Sequence, residues 1–181
     1  MPERWKSIST AEGSCFIDTG IFFAAYNRSD EMNLDGSLVL VSCVLGRFGR
    51  VYTSTYVLDE TFTLAKTRMG GSEAVRLAES ILGSKKITVV KVEQEEEAFG
   101  ESLARFKEHS DVRGLSFTDC TTIVLGEKMK ISALMSFDRG FKPFVPLLLG
   151  EGYHKTLSTE QRDVLGKIAQ NLGIKLKFPK S

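Results

Sequence analysis

The chain has 181 residues, 42% of them hydrophobic and 26% charged, enough apolar material to bury one ordinary globular core. A net charge of +1 from 24 basic and 23 acidic residues excludes nucleic-acid binding by bulk charge, though not by a local basic rim. No apolar run nears the roughly 20 residues of a membrane span, and Met1 to Ser14 holds no apolar signal region. The three scattered cysteines argue against structural zinc and for reduced thiols in a cytoplasm.

Residues 1–13 read as an irregular lead-in to a single domain over residues 14–181. The short apolar run Cys15-Phe16-Ile17 predicts a buried strand ending in Asp18-Thr19-Gly20. A short helix over 21–26 and a polar loop over 28–36 follow. Leu38, Leu40, Val41, Val44 and Leu45 then supply an apolar helical face. Val51 to Ser54 predicts a second strand, and a helix over about 56–68 carries Glu60 in its early turns. Gly70-Gly71 breaks that helix, Ser72 caps the next, and Gly83 stops it. The β-branched run Ile87 to Val92 predicts a third strand. An amphipathic helix over 93–107 puts Phe99, Leu103 and Phe106 on one face, with Glu93 to Glu97 at its positive end.

Ser116-Phe117-Thr118-Asp119-Cys120 opens a helix, and Ile131 to Phe137 predicts a fourth strand ending at Asp138. Beyond it, Pro143 and Pro146 interrupt an apolar segment. Ser158 and Gln161 form a capping-box pattern ahead of Val164, Leu165, Ile168 and Leu172. Alternating Ile174 to Phe178 predicts a fifth strand at a sheet edge. Strands alternating with helices predict an α/β fold, a central parallel sheet of about five strands with helices on both faces.

Four acids, Asp18, Glu60, Asp119 and Asp138, fall at strand ends or early helix turns. In an open α/β sheet such positions converge outside the carboxyl ends of the strands. Two charges about 4 Å apart cost roughly 4 kcal/mol at an effective dielectric near 20. A cluster of four therefore calls for protons or cations. Acids without Cys or His favour hard ions, Mg²⁺ or Mn²⁺, one or two in number, which suit phosphoryl transfer.

Phe16-Ile17-Asp18-Thr19-Gly20, Leu58-Asp59-Glu60-Thr61, Ser116 to Cys120, and Ser136-Phe137-Asp138-Arg139-Gly140-Phe141 together resemble the PIN-domain family of metal-dependent ribonucleases, and within it the VapC-type toxins. The resemblance spans about residues 14–142. It implies a Rossmann-like PIN fold, Mg²⁺ or Mn²⁺ held by the four acids, and cleavage of single-stranded RNA. It also implies an antitoxin protein partner and a homodimer. Residues 143–172 depart from the family pattern and are read as a helical insertion before the closing strand. Two rival readings stay open: a PIN scaffold that binds RNA or protein with little catalysis, and a DNA or flap-type nuclease of the same superfamily.

Thr19, Ser116 and Thr118 either bond to an acid or a water at the site or simply shape the turns. Lys66, Arg68, Arg139 and Lys142 are the best-placed cations for RNA phosphates, though each alone reads as an ordinary surface charge. His109 and His154 have no carboxylate or cysteine at ligand spacing and read as surface or core residues.

Overall fold

The protein's structure, a computed structural model, describes residues 13–94, 96–112 and 114–174. The run Cys15 to Ile17 lies in strand β1 (Ser14–Ile17) and has no solvent exposure. That burial follows from its place at the centre of the sheet, with β2 (Arg50–Ser54) on one side and β4 (Ala133–Met135) on the other. Strand β3 (Ile87–Val90) flanks β2, and β5 (Leu148–Leu149) flanks β4, giving the order β3-β2-β1-β4-β5. Every pairing is parallel.

Two helices, α1 (Thr19–Tyr26) and α2 (Asn33–Val44), connect β1 to β2. Next come α3 (Thr55–Met69) and α4 (Gly71–Leu82), then α5 (Glu96–Glu108) and α6 (Phe117–Lys128), with α7 (Thr159–Asn171) last. From β1 the chain steps outward to β3, then returns across the sheet to β4. Right-handed crossovers therefore place α5 and α6 on the face opposite α1 to α4. Helix α1 packs on α2 and α3, α7 packs on α2, and α5 packs on α6. Gly36 permits the α1–α2 contact, since a Cβ there would lie 3.0 Å from the Ala24 Cβ and 3.1 Å from the Ala25 nitrogen. No helix among the described residues is long and apolar enough to cross a membrane.

Among the described residues the fifth strand is Leu148–Leu149, within the stretch read as a helical insertion. Residues 175–181, most of the expected strand at 174–178, lie outside the described residues, as do 1–12 of the lead-in. Leu148–Leu149 forms the edge beside β4 among the described residues. Leu134 N–H donates to Leu147 O (2.8 Å) and Ser136 N–H to Leu149 O (2.9 Å). Only an edge strand tolerates a proline as near as Pro146. The rest of 143–172 forms a 3-10 turn at Tyr153–Thr156 and α7, whose Ser158–Gln161 capping box is present as expected. Helix α2 begins within the predicted loop because the Asn33 side chain donates to Ala24 O (2.9 Å). Helix α4 begins at Gly71 with Gly70, not Ser72, as its cap residue. Phe99, Leu103 and Phe106 share a face of α5, but that face is exposed rather than buried.

Gly150 sits hard against the end of β4. A Cβ at this position would lie 2.2 Å from the Ser136 carbonyl oxygen. Gly150→Ala is therefore expected to destabilise the protein by about 1–3 kcal/mol through overpacking, read as a lower urea midpoint at unchanged m-value.

Candidate active site

The order β2-β1-β4 makes the gap between β1 and β4 the switch point of the sheet, where parallel α/β folds open a crevice. Asp18 and Asp138 follow those two strands on the same edge. Asp18 N–H donates to Met135 O (3.0 Å), so its backbone still belongs to the β1–β4 ladder. Its side chain is only 7% exposed. The Ser136 hydroxyl donates to Asp18 Oδ2 (2.6 Å) and accepts the Asp138 N–H (3.0 Å). Asp138 Oδ1 in turn accepts the Gly140 N–H (2.7 Å). One serine thus fixes both acids relative to the switch point. The sequence reading quoted Ser136 in its motif but gave it no role.

Glu60 arrives on the second turn of α3. Ser54 caps that helix, its Oγ accepting the Val57 N–H (3.2 Å), and Thr53 ties β2 to the end of β1 through Ile17 O (2.9 Å). Asp119 arrives on the first turn of α6 in a reciprocal capping box. Ser116 N–H donates to Asp119 Oδ2 (2.6 Å), and Asp119 N–H donates to Ser116 Oγ (3.1 Å). The cap role and the site role are therefore compatible: the box uses Oδ2, and among the described residues Oδ1 takes no hydrogen bond.

Charges pass between neighbouring acids: Asp119 and Glu60 act on Asp18, Asp119 on Glu60, and Asp138 on Asp119. Burial pushes the Asp18 carboxyl up from its ordinary 3.8 to about 7; Ser136 and the Thr19 N–H oppose this, and the Asp119 and Glu60 charges add to it. Glu60 is also raised, first by burial and then by Asp119, against the Thr19 and Thr118 side chains, which favour its ionised form. Asp119 is raised by burial, against its bonds to Ser116, with the Asp138 charge adding to the rise. Thr19, Ser116 and Thr118 thus all act on the acids.

Such a set fits a hard divalent cation, which relieves the mutual repulsion that protons would otherwise relieve. Among the described residues no three Asp, Glu, His or Cys side chains close into a ligand cage. An open set suits Mg²⁺, which keeps several waters and takes only one or two carboxylates directly.

The four candidate cations divide. Lys66 and Arg68 are exposed on the last turn of α3, away from the Glu60 turn, and Arg68 lines a separate groove with Tyr26 and Glu73. Arg139 and Lys142 follow Asp138 and line a cleft beside the acids. Arg139 is paired with Glu151 (2.6 Å). His154 departs from the sequence reading, because its Nδ1 lies 2.7 Å from Oδ1 of the buried Asp35. Those partners stand far apart in sequence, and no local spacing signals the pair.

The PIN domain profile matches residues 15–144. A VapC ribonuclease of Archaeoglobus fulgidus is 31% identical over 161 residues, covering 89% of this chain and 98% of that protein. Among solved structures, Mycobacterium tuberculosis VapC20, described as a sarcin–ricin-loop-cleaving toxin, superposes with a TM-score of 0.64 at 28% identity. It covers 73% of this chain and 97% of its own. VapBC2 of Rickettsia felis, solved with a promoter DNA fragment, shares the fold with a TM-score of 0.51 at 13% identity, over 75% of this chain and 96% of that one. The chain belongs to the PIN-domain family.

Proposed function

We propose that the protein is a metal-dependent endoribonuclease of the VapC type, hydrolysing phosphodiester bonds of single-stranded RNA. The observation that carries this reading is Asp18 and Asp138 tied to one Ser136 hydroxyl at the switch point of the sheet, with Glu60 and Asp119 near enough for their charges to act on Asp18. These four would hold one or two Mg²⁺ or Mn²⁺ ions. Bound there, such an ion supplies positive charge for the phosphoryl oxygens and lowers the pKa of water. The chain's own part is placement. Ser136 holds Asp18 and Asp138 in register, the Ser116–Asp119 box fixes the first turn of α6, and the Thr19 and Thr118 side chains oppose the rise that burial and Asp119 impose on Glu60. The relatives' names support an antitoxin protein as partner and inhibitor, and the family resemblance supports a homodimer.

The test is cleavage of a single-stranded RNA panel with Mg²⁺, Mn²⁺ or EDTA, including a sarcin–ricin hairpin and matched DNA strands. Cutting that needs the metal, spares DNA and falls at least about 100-fold in Asp119→Asn is the expected result. An asparagine at 119 still accepts the Ser116 N–H, so lost activity reports on the site and not on unfolding. No cutting of any RNA, together with no heat of Mn²⁺ binding by calorimetry, overturns the reading.

A further inference from the structure

An open cleft of about 880 Å³ begins at Ser136 and at Phe137 and Arg139 on either side of Asp138; the segment beyond residue 144, outside the family profile, builds much of it, and Glu31 and Glu151 line it along with the lysines. One wall is the start of α2 with Asp35. The other runs from Ser136 and Phe137 through Lys142 to Gly152, His154 and Lys155. Ser136 joins the two sites, since it lines the cleft and its hydroxyl donates to Asp18. Asp35 is 5% exposed and accepts three hydrogen bonds: Gly152 N–H on Oδ2 (2.8 Å), and His154 N–H and Nδ1 on Oδ1 (both 2.7 Å). Oδ1 faces Nδ1, an arrangement that suits the tautomer with its proton on Nδ1. Nε2 has no hydrogen-bond partner among the described residues, and His154 lines the cleft. Lys142 and Lys155 make no ion pair among the described residues either.

We propose that this cleft is a subsite for a nucleotide flanking the scissile bond, contacted by His154 Nε2 and by the ammonium groups of Lys142 and Lys155. The inference rests on the ribonuclease reading above. Its ligand class follows from the lining. Phe137, Pro146 and Leu147 present an apolar wall suited to a base face, while the two lysines suit a phosphate. Arg139 is paired with Glu151 at the exposed rim of the cleft. The imidazole is not needed to anchor its own segment, because Asp35 already takes the backbone N–H groups of Gly152 and His154. What the ring adds is a directed polar atom in the cleft.

The first measurement is protection of His154 from diethyl pyrocarbonate by a single-stranded RNA oligonucleotide, in EDTA, on Asp119→Asn protein. The chain has two histidines, so His109, whose Nδ1 lies 3.0 Å from the Arg105 carbonyl oxygen, is the internal reference. RNA is expected to slow modification at His154 and not at His109. In the otherwise wild-type enzyme, His154→Gln is expected to raise KM about tenfold with kcat within about twofold. Lys142→Ala/Lys155→Ala is expected to raise KM and flatten its salt dependence. Unprotected His154, or unchanged KM in both variants, overturns the proposal. Masking of His154 by rising protein concentration without RNA also overturns it, in favour of an interface between copies. If His154→Gln fails to fold, the protection result and the lysine variant decide. Wild type that cuts RNA with His154 unprotected sinks the subsite alone; protected His154 in a protein that cuts nothing sinks the ribonuclease reading and leaves the cleft as an RNA site.

Discussion

Asp18→Asn is expected to abolish RNA cleavage and, at the same time, to make the metal-free protein more stable at pH 8. The two effects have one cause. The Asp18 side chain is buried, and burial, with the Asp119 and Glu60 charges adding, pushes its carboxyl from 3.8 to about 7. A carboxyl with a raised folded pKa keeps a proton that the unfolded chain releases. Its contribution to stability is full below about pH 4 and is lost as pH rises through about 7. At roughly 1.4 kcal/mol per unit, a rise of about 3 units corresponds to about 4 kcal/mol of stability lost across that window.

Asparagine removes the titration and keeps the geometry, because its amide oxygen still accepts from Ser136 Oγ. Calorimetry in EDTA from pH 5 to 8.5 is then expected to show a falling Tm in wild type and a flatter profile in Asp18→Asn. At pH 8 the variant's advantage is about 8–16 °C, taking about 2–4 °C per kcal/mol for a chain of this size. Mn²⁺ is expected to raise the wild-type Tm and to do little for the variant. A variant less stable than wild type at pH 8 in EDTA would show that the Asp18 charge stabilises the fold, contrary to the burial argument.

Local signals were legible in the sequence. An apolar run that stops at an acid marks the end of a buried strand, and it located Asp18 and Asp138 at the edge of β1 and β4. A serine three residues before an amide marks a helix start, as at Ser158–Gln161, whereas Asp119, read as the start of its helix, is the third residue of a box capped by Ser116. Long-range capture was not legible. Strand β5 is two residues long beside Pro146 and is held by ladder bonds to β4, so it has no periodicity to detect. The exposed apolar face of α5 has the same 3.6-residue spacing as a buried one, and spacing cannot tell the two apart. Ser136 looked like any polar residue near a strand end; its role appears only when β1 and β4 are paired. Asp35 falls in the loop expected over 28–36, and no pattern ties it to residues more than a hundred positions away.

Asp35→Ala is expected to cost about 3–5 kcal/mol, the range for a buried charge whose removal strands its partners. Alanine leaves the N–H groups of Gly152 and His154 and the His154 ring donor without their acceptor. The damage is expected to spread along the segment. Tyr153 is buried, its hydroxyl donates to Ser42 Oγ (3.0 Å), and its ring lies 6.2 Å from that of Phe48. Gly152 holds a left-handed φ of 76°. Hydrogen exchange is expected to speed most at the Gly152 and His154 amides, with urea unfolding giving the global cost. Asp35→Asn keeps one acceptor oxygen and turns the other into a donor, so it is expected to fall between wild type and alanine. His154→Gln leaves both backbone bonds intact and is expected to cost no more than about 1 kcal/mol. A neutral Asp35→Ala would mean that the segment is held by Tyr153 and Leu157 packing alone. The ordering alanine, asparagine, then His154→Gln separates the carboxylate as anchor from the imidazole as the group presented to the cleft.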